Sequence, residues 1–173
     1  MPQENIKYAA WPTAWGPMGA VSSDKGLIRV ILPHYELNDL RALLAFEYKQ
    51  GQEDRSAFDA LIELTRQYFN GQKPDFSSVL CNMPDEQTFS GKVYRACRAI
   101  GHGQTRSYAW LAGTAGNPDG ARAAGAAMGK NPIPLIVPCH RVVSAGGRLG
   151  GFSAEGGVEL KRKMLQLEGV KVP

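Results

Sequence analysis

Residues 134–143 read PLIVPCHRVV: an apolar, β-branched run broken at its centre by a proline, a cysteine, a histidine and an arginine. A free cysteine is among the most buried residue types and usually acts as a small hydrophobe, so Cys139 taken alone could be core. His140 and Arg141 are harder to absorb, because polar side chains that interrupt such a run must find partners or water. Pro138 removes a backbone donor, so a regular central strand does not pass straight through this point. The reading that follows is a functional cysteine set in a deliberate interruption of an extended segment.

Working towards the N-terminus, residues 101–131 read GHGQTRSYAWLAGTAGNPDGARAAGAAMGKN. Ser107 can cap a short helix running through about Leu111, and Asn117-Pro118 offers a cap and a first-turn proline for a second. Two short helices with a tight connection suggest a helix-turn-helix, although such pairs are also ordinary packing units. From Gly120 to Gly129 the second helix carries Gly, Ala, Met and a single charge, Arg122. So many small residues allow close approach to a flat partner. Burial against another helix is the plain alternative, and docking on DNA is favoured by the charge of the surrounding half. Before this pair, Phe89, Val93, Cys97 and Ile100 fall on one helical stripe, which makes Cys97 a core residue.

Towards the C-terminus, SAGGRLGGFSAEGG (144–157) forms a glycine-rich loop with six glycines, followed by a last helix in VELKRKMLQLEG. Leu160, Met164 and Leu167 are expected on its buried stripe, with Lys161, Arg162 and Lys163 on its solvated face. Glu168 sits at the helix end where a negative charge opposes the dipole. A surface accident explains that, and so does a carboxylate placed to orient an imidazole.

The first half shows no such chemistry. WGPMGAVSSDKGLIRVILP reads as a β-hairpin around Asp24-Lys25-Gly26. ELNDLRALLAFEYKQ and RSAFDALIELTRQYFNG read as helices, the second with Phe58, Leu61, Ile62, Leu64 and Phe69 inward and Gly71 as its end cap. His34, beside a proline, is a loop residue. NMPDEQTF is the expected boundary, giving domains 1–83 and 84–173.

Residues 1–83 hold 8 Lys+Arg against 10 Asp+Glu, and residues 84–173 hold 12 against 6, so the net charge of +4 is concentrated in the second half. A polyanion would be met there. No apolar stretch approaches the roughly 18 residues needed to span a bilayer, and MPQENIKYAA lacks the plan of a signal peptide, so no membrane is expected. The expected location is cytoplasmic, or nuclear in a eukaryote. Cys81, Cys97 and Cys139 are odd in number and widely spaced, which suits a reducing compartment. With three histidines and no Cys/His cluster, neither metal nor cofactor is expected.

SYAWLAG, ARAAGAAMGKNPIPLIVPCHRVV, GGFS and the terminal LEG together resemble the O6-alkylguanine-DNA alkyltransferases, strongly over residues 88 to 169 and only in layout before that. The resemblance implies an α+β chain: a ribonuclease-H-like N-terminal domain without nuclease function, then a winged helix-turn-helix. That second domain would bind double-stranded DNA through the minor groove as a monomer and flip out an O6-alkylguanine. It implies that Cys139 accepts the alkyl group, that His140 is its base through a water, that Glu168 orients His140, that Asn131 braces the turn and that Tyr108 hydrogen-bonds the guanine near the rotated phosphate. Arg122 would fill the space left by the base, on a DNA-facing surface with Ala121, Gly125 and Tyr108. The carbonyls of Cys139 and Val142 would accept from the exocyclic amine, the amide of Ser153 would face O6, and Phe152 and Pro134 would complete the base site. Three positions depart from the family's usual pattern: Gly101, Gln104 and Phe152, where proline, glutamate and tyrosine are common.

These roles agree with elementary chemistry. Attack on an alkyl carbon needs a thiolate, which a free thiol supplies to only a few per cent at neutral pH, so a base is required. In an extended segment Cys139 and His140 point to opposite faces, and a bridging water answers that unless the chain bends. A phenol such as Tyr108 suits the protonation of the leaving guanine. Two rivals remain: a non-catalytic lesion-binding protein, against which Cys139 argues, and a cysteine hydrolase, for which nothing specifies an oxyanion hole. A plain transcription factor would leave PCHR and Glu168 unexplained.

Overall fold

The computed structural model describes residues 5–172; residues 1–4, on which part of the reading of the N-terminus rests, lie outside them. The chain divides into two compact units, residues 1–82 and 83–173.

The first unit is built on a four-stranded sheet, β1 (Lys7–Thr13), β2 (Gly16–Ser23), β3 (Gly26–Ile31) and the short β4 (Gln52–Glu53), in the order β3-β2-β1-β4. β1 and β3 run antiparallel to β2, and β4 joins β1 in parallel. The β2–β3 turn falls where the sequence places it, with Gly26 at φ 110°, a conformation that a residue with a Cβ resists. Two helices follow, α1 (Leu37–Glu47) and α2 (Asp59–Phe69). Tyr8, Ala10, Val21 and Ile31 form one core with Leu40 and Leu44 of α1. From the other parity of β1, the Trp11 indole donates to Thr65 Oγ1 of α2 at 3.0 Å and stacks on Phe58. Both faces of β1 are therefore covered, and its side chains are buried without alternation. The buried stripe of α2 is Leu61, Thr65, Tyr68 and Phe69, while Ile62 and Leu64 are half-buried. Gly71 ends it as expected, at φ 79°.

The second unit packs α3 (Phe89–Arg98), α4 (Tyr108–Thr114) and α5 (Ala121–Gly129) on one another and adds α6 (Gly157–Leu167). Two-residue strands β5 (Arg106–Ser107) and β6 (Val142–Val143) pair in parallel. Val93 and Cys97 are buried, and the Tyr94 hydroxyl donates to Ala127 O at 3.2 Å, tying α3 to α5. Ser107 caps α4 by accepting from Trp110 N–H. The start of α5 corrects the sequence reading: Asn117-Pro118 is not its cap. Asn117 to Gly120 form a turn closed by Gly120 N–H to Asn117 O at 2.9 Å, and the helix begins at Ala121. Asn at the first and proline at the second position of a β-turn, with glycine at the fourth, is the favoured pattern for that turn. Lys161 needs a second correction: it is fully buried, not solvated. Leu160 and Met164 are buried as expected, Lys161, Leu165 and Glu168 join them to widen the inward face of α6 and its end, and Leu167 is half-buried.

Among the described residues no helix is long and apolar enough to cross a membrane, and no group of three His, Cys, Asp or Glu could hold a metal ion.

Candidate active site

The interrupted run does not stay extended at its centre. Cys139–Arg141 form one turn of 3₁₀ helix, all three residues buried, and the chain is extended again at Val142. Pro138 at ψ 65° turns the chain into a bend, the exception that the opposite-face argument for an extended segment allowed. Asn131 holds the approach. Its Nδ2 donates to Val137 O at 2.8 Å and its Oδ1 accepts from Ile133 N–H at 3.1 Å. Between those anchors Leu135 sits at φ 74°, a left-handed conformation that costs a leucine about 1–3 kcal/mol and persists only where its surroundings impose it.

Cys139 lines a pocket of about 460 Å³ with Tyr108, Gly125, Met128, Gly129, Gly151, Phe152 and Ser153. That volume suits a small-molecule moiety. Gly150 stands beside the pocket at φ 67°, and a Cβ there would lie 2.7 Å from Ser144 Oγ and 3.7 Å from the Tyr108 hydroxyl. On α5, Arg122, Ala123, Ala126 and Gly129 are exposed, while Ala121 and Gly125 are half-buried. Small residues and one cation thus make up the outer face of this helix.

Next to the thiol lies a buried ionic group. The ring of His140 meets Glu168 through Nε2 and Oε1 at 2.7 Å. Arg141 grips the same carboxylate, with Nε to Oε2 at 2.9 Å and Nη2 to Oε1 at 3.0 Å, and its Nη1 donates to Ile100 O at 2.7 Å. Gly103 N–H donates to Oε2 at 3.0 Å. Glu168 is therefore no surface accident: it joins the reactive turn to the 100–103 segment and the end of α6. That segment includes Gly101, one of the departures from the family's pattern, and its geometry rests on these bonds.

The protonation states follow from the surroundings. Burial would raise the carboxyl of Glu168, but the hydrogen bonds and charge of His140 and Arg141 outweigh it and hold the group well below the usual carboxylate range. Arg141 is charged at any accessible pH and keeps pulling the same way when the imidazole is neutral. Burial lowers His140, with Arg141 and Lys161 pushing the same way against Glu168, so the imidazole is neutral at neutral pH. An ionised carboxylate facing Nε2 puts the ring proton on that nitrogen and leaves Nδ1 as the basic one. Burial pushes the Cys139 thiol up, opposed by a hydrogen bond from Asn131, the charge of Lys161 and the backbone N–H groups of Cys139 and His140. The resting sulfur is thus a thiol. Burial also raises Tyr108, which keeps its phenol protonated.

Lys161 was not foreseen here. Its ammonium donates to Val142 O at 2.5 Å and to Gly151 O at 3.3 Å and lies 5.9 Å from the centre of the Tyr108 ring. Desolvation brings it down to about 8, and negative charge on Cys139 or Cys97 would pull the other way. Its spacing to Met164, Leu165 and Glu168 is the helical i, i+3, i+4, i+7 pattern, a signal the three consecutive cations obscured.

Of the residues expected at the site, Cys139, Tyr108, Gly125, Phe152 and Ser153 share the pocket lining. His140 lies in the Cys139–Arg141 turn, Glu168 bonds to it there, and Asn131 holds the approach through Val137 O and Ile133 N–H. Val142 and Pro134 are buried but are not among the lining residues, and Pro134 bridges instead to Val137. Arg141 and Lys161 are additions.

Residues 88–170 match the family described as 6-O-methylguanine DNA methyltransferase, DNA binding domain. A methylated-DNA–protein-cysteine methyltransferase of Metallosphaera sedula is 35% identical over 173 residues, covering 97% of each chain. One from Methanosarcina acetivorans is 33% identical over 94% of this chain and 97% of its own. Among solved structures, Mycobacterium tuberculosis OGT in complex with DNA superposes with a TM-score of 0.77 at 31% identity, over 96% of this chain and 95% of that one. The likeness extends far beyond the PCHR turn into both halves of the sequence, and the chain belongs to the methylated-DNA–protein-cysteine methyltransferase family.

Proposed function

We propose that this chain repairs alkylated DNA by direct reversal, moving the alkyl group from O6 of guanine in a duplex onto Cys139. The observation that carries the reading is a buried thiol lining a pocket large enough for a base, with a neutral imidazole held by an ionised carboxylate as the next residue. His140 takes the thiol proton on Nδ1, through a water, and Glu168 stabilises the resulting imidazolium. The sulfur attacks the alkyl carbon as the C–O6 bond breaks, and the electron pair goes to the guanine. Tyr108 donates a hydrogen bond to the departing base, and the proton lost by the thiol ends on the guanine. Asn131 keeps the turn in the geometry this displacement needs. The Ser153 amide faces O6, the carbonyls of Cys139 and Val142 accept from the exocyclic amine, and Phe152 and Pro134 help to shape the base site.

A base inside the stack cannot reach the sulfur, so it is flipped out at a cost of a few kcal/mol. The exposed face of α5 supports minor-groove docking, with Ala121 and Gly125 allowing close approach and Arg122 taking the vacated space. In this reading residues 84–173 form a winged helix-turn-helix domain that binds DNA and accepts the alkyl group, and residues 1–83 a ribonuclease-H-like domain. The protein works as a monomer in the cytoplasm, or the nucleus of a eukaryote, without a cofactor.

The product is a thioether, which has no carbonyl for water to attack, so each molecule acts once. Titrating limiting protein against excess duplex containing O6-methylguanine is expected to plateau at one alkyl group per chain. Turnover beyond the plateau refutes the single-use reaction, and binding without transfer returns the chain to the lesion-binding reading.

A further inference from the structure

The loop between Ser144 and Gly150 separates two walls of the proposed base site. Val142 ends the reactive segment on one side, and Gly151, Phe152 and Ser153 begin the other. The hydrogen bonds inside the loop are local, Ser144 N–H to Arg148 O at 2.8 Å and Gly147 N–H to Ser144 O at 3.1 Å, and Gly146, Gly147 and Gly150 all have positive φ. Glycines in such conformations lose the most freedom on ordering and resist it least when released. The ammonium of Lys161, carried on the rigid α6, bonds to carbonyls on both sides of this loop, Val142 O and Gly151 O.

We infer that Lys161 is a positioning residue for base recognition: by bonding the Val142 and Gly151 carbonyls to one ammonium, it locks the reactive segment to the loop that carries Phe152 and Ser153. The inference rests on the proposed roles of Val142 and Ser153 in reading the guanine. A carbonyl oxygen has two lone pairs, so Val142 O can hold Lys161 and still accept from an exocyclic amine. The bond to Lys161 fixes where that second lone pair points. A lysine so placed is not there for stability. It is fully buried, and among the described residues no carboxylate forms an ion pair with it. A hydrophobe in the same stripe would avoid the desolvation penalty; what it lacks is a set of donors able to join two carbonyls.

The test uses the full-length protein, Lys161→Met, and Lys161→Gln, whose neutral amide is one atom too short to span both carbonyls. Three readings are taken: transfer from duplex O6-methylguanine, alkylation of Cys139 by iodoacetamide, and hydrogen exchange over residues 144–153. Iodoacetamide needs the thiol but not the base-reading walls. Each variant is expected to exchange faster over 144–153 and to lose about tenfold or more in transfer, as a displaced reacting geometry does, while iodoacetamide alkylation falls much less. Equal losses towards both reagents would assign Lys161 to the thiol itself and overturn the inference, and so would unchanged exchange in the loop. A wild-type protein that transfers nothing from the duplex refutes the proposed function instead, so the two failures are separable. If Met does not fold at this position, the Gln variant carries the same readings.

Discussion

Replacing Glu168 by glutamine keeps the shape of the side chain and removes its charge, which tests the buried ionic group directly. Glu168 accepts from His140 at 2.7 Å, from Arg141 at 2.9 and 3.0 Å and from Gly103 N–H at 3.0 Å, and it is only 6% exposed. Without the carboxylate, Arg141 is a buried cation with no counter-charge, a loss that costs about 3–5 kcal/mol. Against a total stability of about 5–15 kcal/mol, that is a large share. The pH dependence has a definite sign. The folded-state pKa of Glu168 lies below its ordinary 4.5, so its contribution is fully present above 4.5 and is lost as pH falls towards the folded value. His140 is held neutral by burial, and losing the Glu168 carboxylate lowers it further, so acid weakens the variant more than wild type through this residue and the two are compared at each pH. Urea unfolding followed by circular dichroism at pH 7 and at steps down to pH 3 gives the difference. It is expected to be near 3 kcal/mol or more at pH 7, and its Glu168 part to shrink steadily below pH 4.5. A difference under about 1 kcal/mol, the scale of an exposed ion pair, or one that does not change with pH, refutes the account of Glu168 as the ionised centre of this group.

Asn131→Leu leaves Ile133 N–H without its partner and takes one of two donors from Val137 O, which keeps the Cys139 N–H at 2.8 Å, so about 1–3 kcal/mol is lost for the orphaned group. Urea unfolding should show that loss and transfer should slow with it; a stable variant of normal rate removes Asn131 from the turn. Transfer by the wild type is expected to persist below pH 6.5, because burial keeps His140 neutral there. The transfer rate of His140→Gln should climb with pH up to and beyond 9, as the raised thiol ionises unaided. A variant defect that is the same at every pH counts against His140 as the base. Arg122→Ala should slow repair of a duplex far more than reaction with free O6-alkylguanine, since only the duplex requires extrusion. Equal losses on both substrates remove Arg122 from flipping.

Much of this architecture was legible because it rests on local signals. Gly26 marks its hairpin through a conformation other residues resist, and Ser107 marks the start of α4 through its hydroxyl. The β1 strand was not, since KYAAWPT is covered on both faces and so carries no alternation to read. Asn117-Pro118 was misread because the same two residues suit a helix cap and a β-turn, and the length of the following turn decides between them. At the site, PCHR announced itself by interrupting an apolar run, and Arg141 was flagged with it as a side chain in need of a partner. Which partner it takes depends on Glu168, 27 residues away, and no local pattern contains that pairing. Lys161 was concealed by Arg162 and Lys163, which share its charge but not its face of α6.

The central claim is that Cys139 itself becomes the alkyl carrier. Incubating the protein with duplex DNA containing O6-methylguanine, then measuring intact mass and mapping peptides, tests it without intermediaries. The predicted result is a gain of one methylene equivalent per chain, located on Cys139 and absent from Cys81, Cys97 and the Cys139→Ser variant. An unchanged mass with the lesion still present in the DNA, or a methyl group found on any other residue, contradicts it.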